Sequence, residues 1–539
     1  MFLCVLLVLL ASGASSVDVL VSQKDGVDGT TCLRSSNVSI PCASLRYALQ
    51  VLKDAEFSEE TVFKFHMQGK YYDLRNDVEI LQSRKDRRVY ITSAENSFIV
   101  IRGGNESSSI TMDAAYNIHI SNIEFQQFTP KSAAVVMIWN SDNISFTNCA
   151  FKDNDRSGIN AFDSGVTIDG CLFLNNTSNL QKLMVFDSHI TPNTISISGG
   201  AGFVFEHAVN LNLVIRNTSF TANSATVDGS ENFIPPTSSS SLPGLNLIGG
   251  GLLVAFMEEA RSCRALVETT HFVENEATFG GGLFYATTQH AKDNSMNVWN
   301  SSFIKNNASQ AGGGISVIVG GVTSFAKFSV THCVISENWS KRGGGVNIFF
   351  KNYPVSNTRQ SMIQFKNVTF DGNRGLASAA VRLDTSLPIG IPIIVVPEFI
   401  DCTIQHHCAT YSTYTSPFTS LRVNAKFMGK NIFRENHGAG AVEYLQGRIF
   451  VNGSLEFAQN SGSHGGAVLL TSSQIILHPG SELRFVENYA SGVGGAIVVV
   501  TGSRYEFIHE YNPDCFVTYS EERTAPSKWK VRPHVPRTK

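Results

Sequence analysis

Charge is scarce in this chain. Asp, Glu, Lys and Arg make up 16% of its 539 residues, and 42 Lys+Arg against 45 Asp+Glu leave a net charge of −3. That balance excludes a partner held by bulk charge, nucleic acid above all. Helix-favouring runs of Ala, Glu, Lys and Leu are few, and no long amphipathic helix separates the strand-like segments, which excludes a βαβ architecture. The ten cysteines form no CxxC and show no pairing with histidine, so no zinc site is read. Beyond the amino terminus no apolar run reaches the about 18 residues of a membrane span. Leu247–Met257 and Ile393–Val396 both fall short. What the chain has instead is glycine (44) and phenylalanine (36).

The amino terminus reads MFLCVLLVLLASGASSVDV, with an apolar run from Phe2 to Ala11 and small residues from Ser12 to Ser16. No Lys or Arg stands in front of the run. The pattern predicts a signal peptide over 1–16, cleaved near Val17, and hence a secreted or extracellular protein; an uncleaved anchor is the alternative. Secretion fits eleven Asn-x-Ser/Thr sequons, at Asn37, Asn105, Asn143, Asn175, Asn176, Asn217, Asn300, Asn307, Asn338, Asn367 and Asn452. Once Cys4 leaves with the signal, nine cysteines remain, so one thiol is free or pairs outside this chain.

One phrase recurs. FVENEATFGGGLF from Phe272 reappears as FIKNNASQAGGGI from Phe303, ISENWSKRGGGV from Ile335, FAQNSGSHGGAV from Phe457 and FVENYASGVGGAI from Phe485. Aligned on the aromatic or Ile, the units anchor at Phe125, Phe151, Phe173, Phe220, Phe272, Phe303, Ile335, Phe370, Ile404, Phe433, Phe457 and Phe485. Each holds short strand-like segments broken by Asn and Gly turns, too little to bury an apolar face alone, so the units must stack. Stacking predicts an inward column of Phe, an Asn at a corner that bonds to its equivalent one coil away, and a Gly pair at a second corner. The predicted fold is all-β, a right-handed parallel β-helix, the hand following from that of parallel crossovers.

The combination FxxN followed by GG[A/L/V/I], over roughly residues 118–500, resembles the repeat of the chlamydial polymorphic outer-membrane proteins. The resemblance implies surface display and attachment. The carboxy terminus, EERTAPSKWKVRPHVPRTK, lacks the alternating strands of a membrane barrel. The sequon density is more similar to related extracellular repeat proteins of invertebrates, often the outer part of a longer receptor-like chain.

The organisation expected is a signal over 1–16, an N-terminal cap over 17–60, the β-helix over 61–505 and a polar tail over 506–539. Within Cys42–Ala55 the residues Leu45, Ala48, Leu49 and Leu52 recur at helical spacing and predict a short helix covering the open end of the first coil, pinned by Cys32 and Cys42. Asn179–Ser198 and Ser224–Asn246 interrupt the repeat and are expected to project from one corner of neighbouring coils.

Candidate sites are few. Cys149 and Cys171 fall on adjacent coils, either as a disulfide or as stacked buried thiols, and Cys402 and Cys408 could pair locally. Asp155, Arg156, Asp163 and Asp169 form the densest acidic stretch and would serve acid–base chemistry or calcium. Without a second such cluster on neighbouring coils, a solvated face is the better reading. His437 and His464 read as satisfied loop histidines. The sequence therefore predicts a non-catalytic adhesion or recognition protein without a cofactor, its partner a carbohydrate or a cell-surface protein. A polysaccharide lyase or glycoside hydrolase and a structural matrix protein are the alternatives.

Overall fold

The structure is a computed structural model and describes residues 16–22, 24–25, 42–45, 47–48, 62–74, 78–81, 87–94, 98–103, 109–129, 134–179, 196–226, 247–288, 290–320, 326–351, 361–386, 395–408, 416–500 and 516–520. Through them the chain winds as a right-handed parallel β-helix. Strands pair in parallel with their equivalents one coil away, in a 28-stranded sheet, a 14-stranded sheet and a six-stranded sheet, with smaller pairings beside them. No described helix is long and apolar enough to cross a membrane.

The anchor column is the register of the fold. Each anchor from Phe125 to Phe485 pairs directly with the next. Ring centroids from Phe151 to Phe303 lie 4.6–5.1 Å apart, near the about 4.8 Å strand spacing, so backbone pairing and ring stacking ask for the same geometry. Equivalent residues of neighbouring coils are anywhere from 22 to 52 positions apart in sequence. The register survives because extra chain is inserted at a corner. Thr177–Asn179 pairs with Ser224–Thr226, and Ser196–Ser198 with Leu247–Gly249, so both insertions leave and rejoin at one corner of neighbouring coils.

The Asn of FxxN builds a buried amide column. Nδ2 of Asn154, Asn176, Asn223, Asn275, Asn306 and Asn338 each donates to Oδ1 of the next at 2.7–2.9 Å, ending on Asn373. The other Nδ2 hydrogen goes back to the anchor carbonyl of the previous coil, as from Asn306 to Phe272 at 2.9 Å. Oδ1 also accepts the backbone N–H of the preceding rung, as from Asn275 to Asn306 at 3.0 Å. Each amide is thus saturated where water cannot reach it. The Asn expected at the corner does not itself adopt the left-handed conformation of the turn. The residue just before it does so, Asp153, Asn175, Ala222, Glu274, Lys305 and Glu337 all having φ of 52–55°. The backbone turns there, and the Asn follows with its side chain aimed inward. A second left-handed column stands three residues before the anchor, at Asn122, Asn148, Asn217, Asn300 and Asn367, which explains the Asn preference there.

The column has one irregular rung. His407 replaces Asn between Asn373 and Asn436, fully buried. Its N–H donates to Asn436 Oδ1 at 3.2 Å and its Nδ1 lies 3.1 Å from Asn373 O, but Nε2 has no partner. Burial, against the opposing pull of the Asn373 carbonyl, lowers its pKa to about 4. A depressed histidine pKa costs stability as pH falls from the unfolded value near 6.5 toward 4, because only the unfolded chain takes up the proton. His407→Asn is expected to complete the column, to raise stability by about 1–2 kcal/mol at neutral pH, and to flatten that acid loss. Urea midpoints at pH 7 and pH 4.5 would check it, and an unchanged pH dependence would count against it.

The glycine corner divides its labour. Gly280 has φ of +59°, while a Cβ on Gly281 would lie 2.5 Å from the carbonyl oxygens of Asn307 and Gly313. One glycine supplies the turn and the next lets two backbones meet.

At the amino end, Leu45, Tyr47 and Ala48 are helical and Ala48 N donates to Ser44 O at 3.1 Å. The rest of the expected helix, with Leu49 and Leu52, lies outside the described residues, as do Cys32 and the boundaries at 60 and 505. Cys42 is disulfide-bonded. Cys149 and Cys171 are free thiols, with Cys149 N donating to Cys171 Sγ at 3.3 Å. Their small side chains fill inward positions on neighbouring coils, where each sulfur already has a backbone carbonyl to bond. Cys402 and Cys408 are free as well. Cys402 Sγ turns into the core toward Phe365 O, while Cys408 lies exposed beyond the His407 corner. Burial raises Cys333 to about 11 and Cys402 to about 12, so both stay protonated at neutral pH.

Candidate functional site: the outer face of the 14-stranded sheet

Side chains alternate in and out along each strand. In the 14-stranded sheet Val346, Ile348 and Phe350 point into the core, and so do Val381, Leu383, Val442 and Tyr444. The residues between them form rows on the outer face. One row runs Met137, Asn160, Gly202, Leu253, Phe284, Ser316, Asn347, Arg382, Thr419, Glu443, each opposite the next. A parallel row carries Phe349 and Asp384.

The face has two halves. Val204, Leu253, Ala255, Met257, Phe284 and Ala286 form a second apolar cluster, separate from the interior core and at most 2% exposed. Further along, the same rows turn polar. Arg382 Nη2 and Nε lie 3.0 and 3.3 Å from Asp384 Oδ2, with the two side chains only 11% and 15% exposed. Asp384 Oδ1 accepts Thr385 N at 2.8 Å, and Arg422 Nη2 donates to Thr385 O at 2.9 Å. Burial pushes the Glu443 carboxyl up from its ordinary value, against the pull of Arg382. Burial likewise lowers the Lys351 amine, on the outward side of the neighbouring strand. Three cations, Arg382, Arg422 and Lys351, and two carboxylates, Asp384 and Glu443, stand with Asn347 and Thr419 and present both donors and acceptors at a small net charge. Such a set suits hydroxyl-rich ligands better than polyanions.

The sequence singled out other residues, and the structure does not bring them together. Asp155 is exposed and its backbone oxygen accepts Arg156 Nη1 at 2.6 Å, with Arg156 itself buried. Asp163 lies a corner away, its Oδ1 accepting the backbone N–H of Glu206 at 2.7 Å and of His207 at 3.2 Å. Asp169 is at a third position, bonded to Asn217 Nδ2 at 3.0 Å. Residues of one coil diverge around its perimeter; a groove is built by equivalent residues of successive coils. For this reason no acid–base set forms from these four.

Asp163 does border a different cluster. Glu206, His207 and Glu258 bring donor atoms within 4.8 Å of one another, and His207 Nε2 lies 3.1 Å from Glu258 Oε2. The Glu206 carboxyl is pushed up by burial first, then by Glu258 and Asp163. One imidazole and two carboxylates are donors suited to zinc or manganese more than to calcium. His437 bonds Ser461 Oγ through Nδ1 at 2.6 Å.

Arg382, Asp384 and Glu443 were missed in the sequence. The signal was there: VRLDT and VEYL occupy the strand after the glycine corner, and their alternate residues are charged where other units have Leu, Phe or Ile.

A family model described as a right handed beta helix region matches residues 87–241. No curated protein matches. Among solved structures, the chain is similar to PfbA, a surface adhesin of Streptococcus pneumoniae, at 10% identity, with 82% of this chain and 86% of that one covered and a TM-score of 0.30. It is also similar to the catalytic domain of a GH87 alpha-1,3-glucanase, solved in complex with tetrasaccharides, at 10% identity, covering 89% of this chain and 67% of that one with a TM-score of 0.21. Neither likeness, at such scores, bears on what this chain binds. Family match and strand register agree on one architecture: the described residues within 87–241 form a right-handed β-helix region.

Proposed function

We propose that this chain is a secreted or cell-surface protein, built on repeats of the polymorphic outer-membrane-protein type, that recognises a glycan along the outer face of its 14-stranded sheet without catalysis. The observation that carries this reading is the polar half of that face, where Arg382 and Asp384 on one coil and Glu443 two coils further on are held half-buried. A rigid sheet offers equivalent positions about every 4.8 Å, which suits an extended polymer lying along the axis. The reading calls for no cofactor.

Arg382→Ala is expected to weaken retention on a responsive polysaccharide at least tenfold, about 1.4 kcal/mol. The variant should keep its thermal midpoint within a few degrees. Affinity electrophoresis across neutral and acidic polysaccharides measures the first and calorimetry the second. Unaltered retention by a folded variant would exclude this face. A polysaccharide-cleaving reading has one observation in its favour, the raised Glu443 carboxyl on the same face as Asp384. It predicts reducing-end release that Glu443→Gln abolishes.

A further inference from the structure

N-glycosylation replaces one Nδ2 hydrogen of asparagine with a sugar, and the sugar needs room. The described sequons fall into two classes on that test. Asn176 and Asn338 are rungs of the buried amide column, with no exposed surface. Both Nδ2 hydrogens of Asn176 are committed, to Phe151 O at 3.0 Å and Asn223 Oδ1 at 2.9 Å. Asn338 commits its pair to Phe303 O and Asn373 Oδ1, each at 2.9 Å. A sugar on either would take one of these committed hydrogens, break its bond and hold adjacent coils apart.

The other class sits at corners. Asn143, Asn175, Asn217, Asn300 and Asn452 are exposed, and Asn367 is half-exposed. Asn143, Asn175 and Asn217 each give a single Nδ2 bond, to Asn117, Asp153 and Asp169 Oδ1, leaving the second hydrogen replaceable. Asn143, Asn175, Asn217, Asn300 and Asn367 all have positive φ, which tips the side chain off the sheet at the turn. These six positions lie on the strands of the 28-stranded sheet or at its corners. Asn307 is half-buried on the six-stranded sheet, its Oδ1 closed from solvent. No described sequon lies on the 14-stranded sheet.

We infer that the fold sorts the described sequons, carrying N-glycans at Asn143, Asn175, Asn217, Asn300, Asn367 and Asn452, refusing them at Asn176 and Asn338, and so placing none of these glycans on the 14-stranded face; Asn37 and Asn105 lie outside the described residues. The inference rests on the secreted reading above. Its sharpest form is local: in Asn175-Asn176-Thr177-Ser178, two overlapping sequons, the sugar goes to the first asparagine alone. A chain modified at the second cannot close the column and does not reach the folded fraction.

The test expresses the full chain in a eukaryotic host, once with its own amino terminus and once behind a leader known to direct secretion. The folded secreted fraction is digested and deglycosylated in heavy-oxygen water, and occupancy is read peptide by peptide. The expected result is label at the six exposed positions and none at Asn176 or Asn338. Label at either rung, or bare asparagines at the exposed positions behind the supplied leader, would overturn the sorting. Glycans with the supplied leader but none with the native terminus would overturn the secreted reading alone. As a second arm, Asn217→Gln should remove one glycan mass and lower the thermal midpoint by no more than the few degrees that a Gln at positive φ without the Asp169 bond costs. Asn338→Gln should leave the glycan mass unchanged and lower the secreted yield.

Discussion

Replacing Asn306 with alanine is expected to destabilise the central coils by about 3–5 kcal/mol, because several buried groups lose their partner at once. Asn306 accepts from the backbone and side-chain amides of Asn275, and donates to Phe272 O and Asn338 Oδ1. Alanine leaves two donors and a carbonyl unpaired, at about 1–3 kcal/mol each, with some relief from relaxation. The loss should show as a lower urea midpoint and as faster hydrogen exchange around Phe272–Asn275 and Phe303–Asn338. Coils near Phe457 should keep their protection, since each coil of a solenoid contacts only its neighbours. Asn306→Asp separates shape from hydrogen bonding. It keeps the outline but puts a carboxylate opposite the Asn338 oxygen, and should be at least as damaging as alanine at neutral pH. An unfolding free energy lowered by less than about 1 kcal/mol in both variants would mean the column contributes order but little stability.

Gly281→Ala is the second large effect. The added methyl would meet two backbone oxygens at 2.5 Å, Asn307 and Gly313. Neither can swing aside as a side-chain end would, so the two coils must separate locally. Overpacking of this kind costs about 1–3 kcal/mol or more, and here it also stretches coil–coil hydrogen bonds such as Gly281 N to Gly312 O at 3.1 Å. The expected outcome is a midpoint lowered by several degrees. Alanine at Gly69 is the control: nothing lies within 4 Å of its Cβ, but its φ is +97°, so only backbone strain remains. If both variants cost the same, the close approach is not what selects the glycine.

The repeat register was legible because it rests on strongly repeated signals. An aromatic followed three residues later by Asn, then by glycines, can be aligned by eye across insertions. The inward fate of Phe272 or Phe303 follows from hydrophobicity alone. What misled was the turn. Asn is the residue most often credited with positive φ, yet the left-handed corner is filled by Glu274, Lys305 and Glu337, residues that carry no such signature. Saturating the next Asn in the column compensates that strain, which no local propensity reveals. The polar half of the outer face was missed for a different reason. Asn347, Arg382, Thr419 and Glu443 are 24 to 37 residues apart and neighbours only because the coils stack. The acidic stretch from Asp155 to Asp169 misled by the converse effect, since closeness in sequence scatters residues around one coil.

The amide column runs along the long axis, as do the strand hydrogen bonds. A molecule attached to a surface at one end and to a ligand at the other would therefore bear tension through its coils in series. Such a chain holds only as well as its weakest contact. The rung at His407, with Nε2 unpartnered and no amide following Asn373, leaves fewer bonds to share that tension than the asparagine rungs do, and acid would weaken it further.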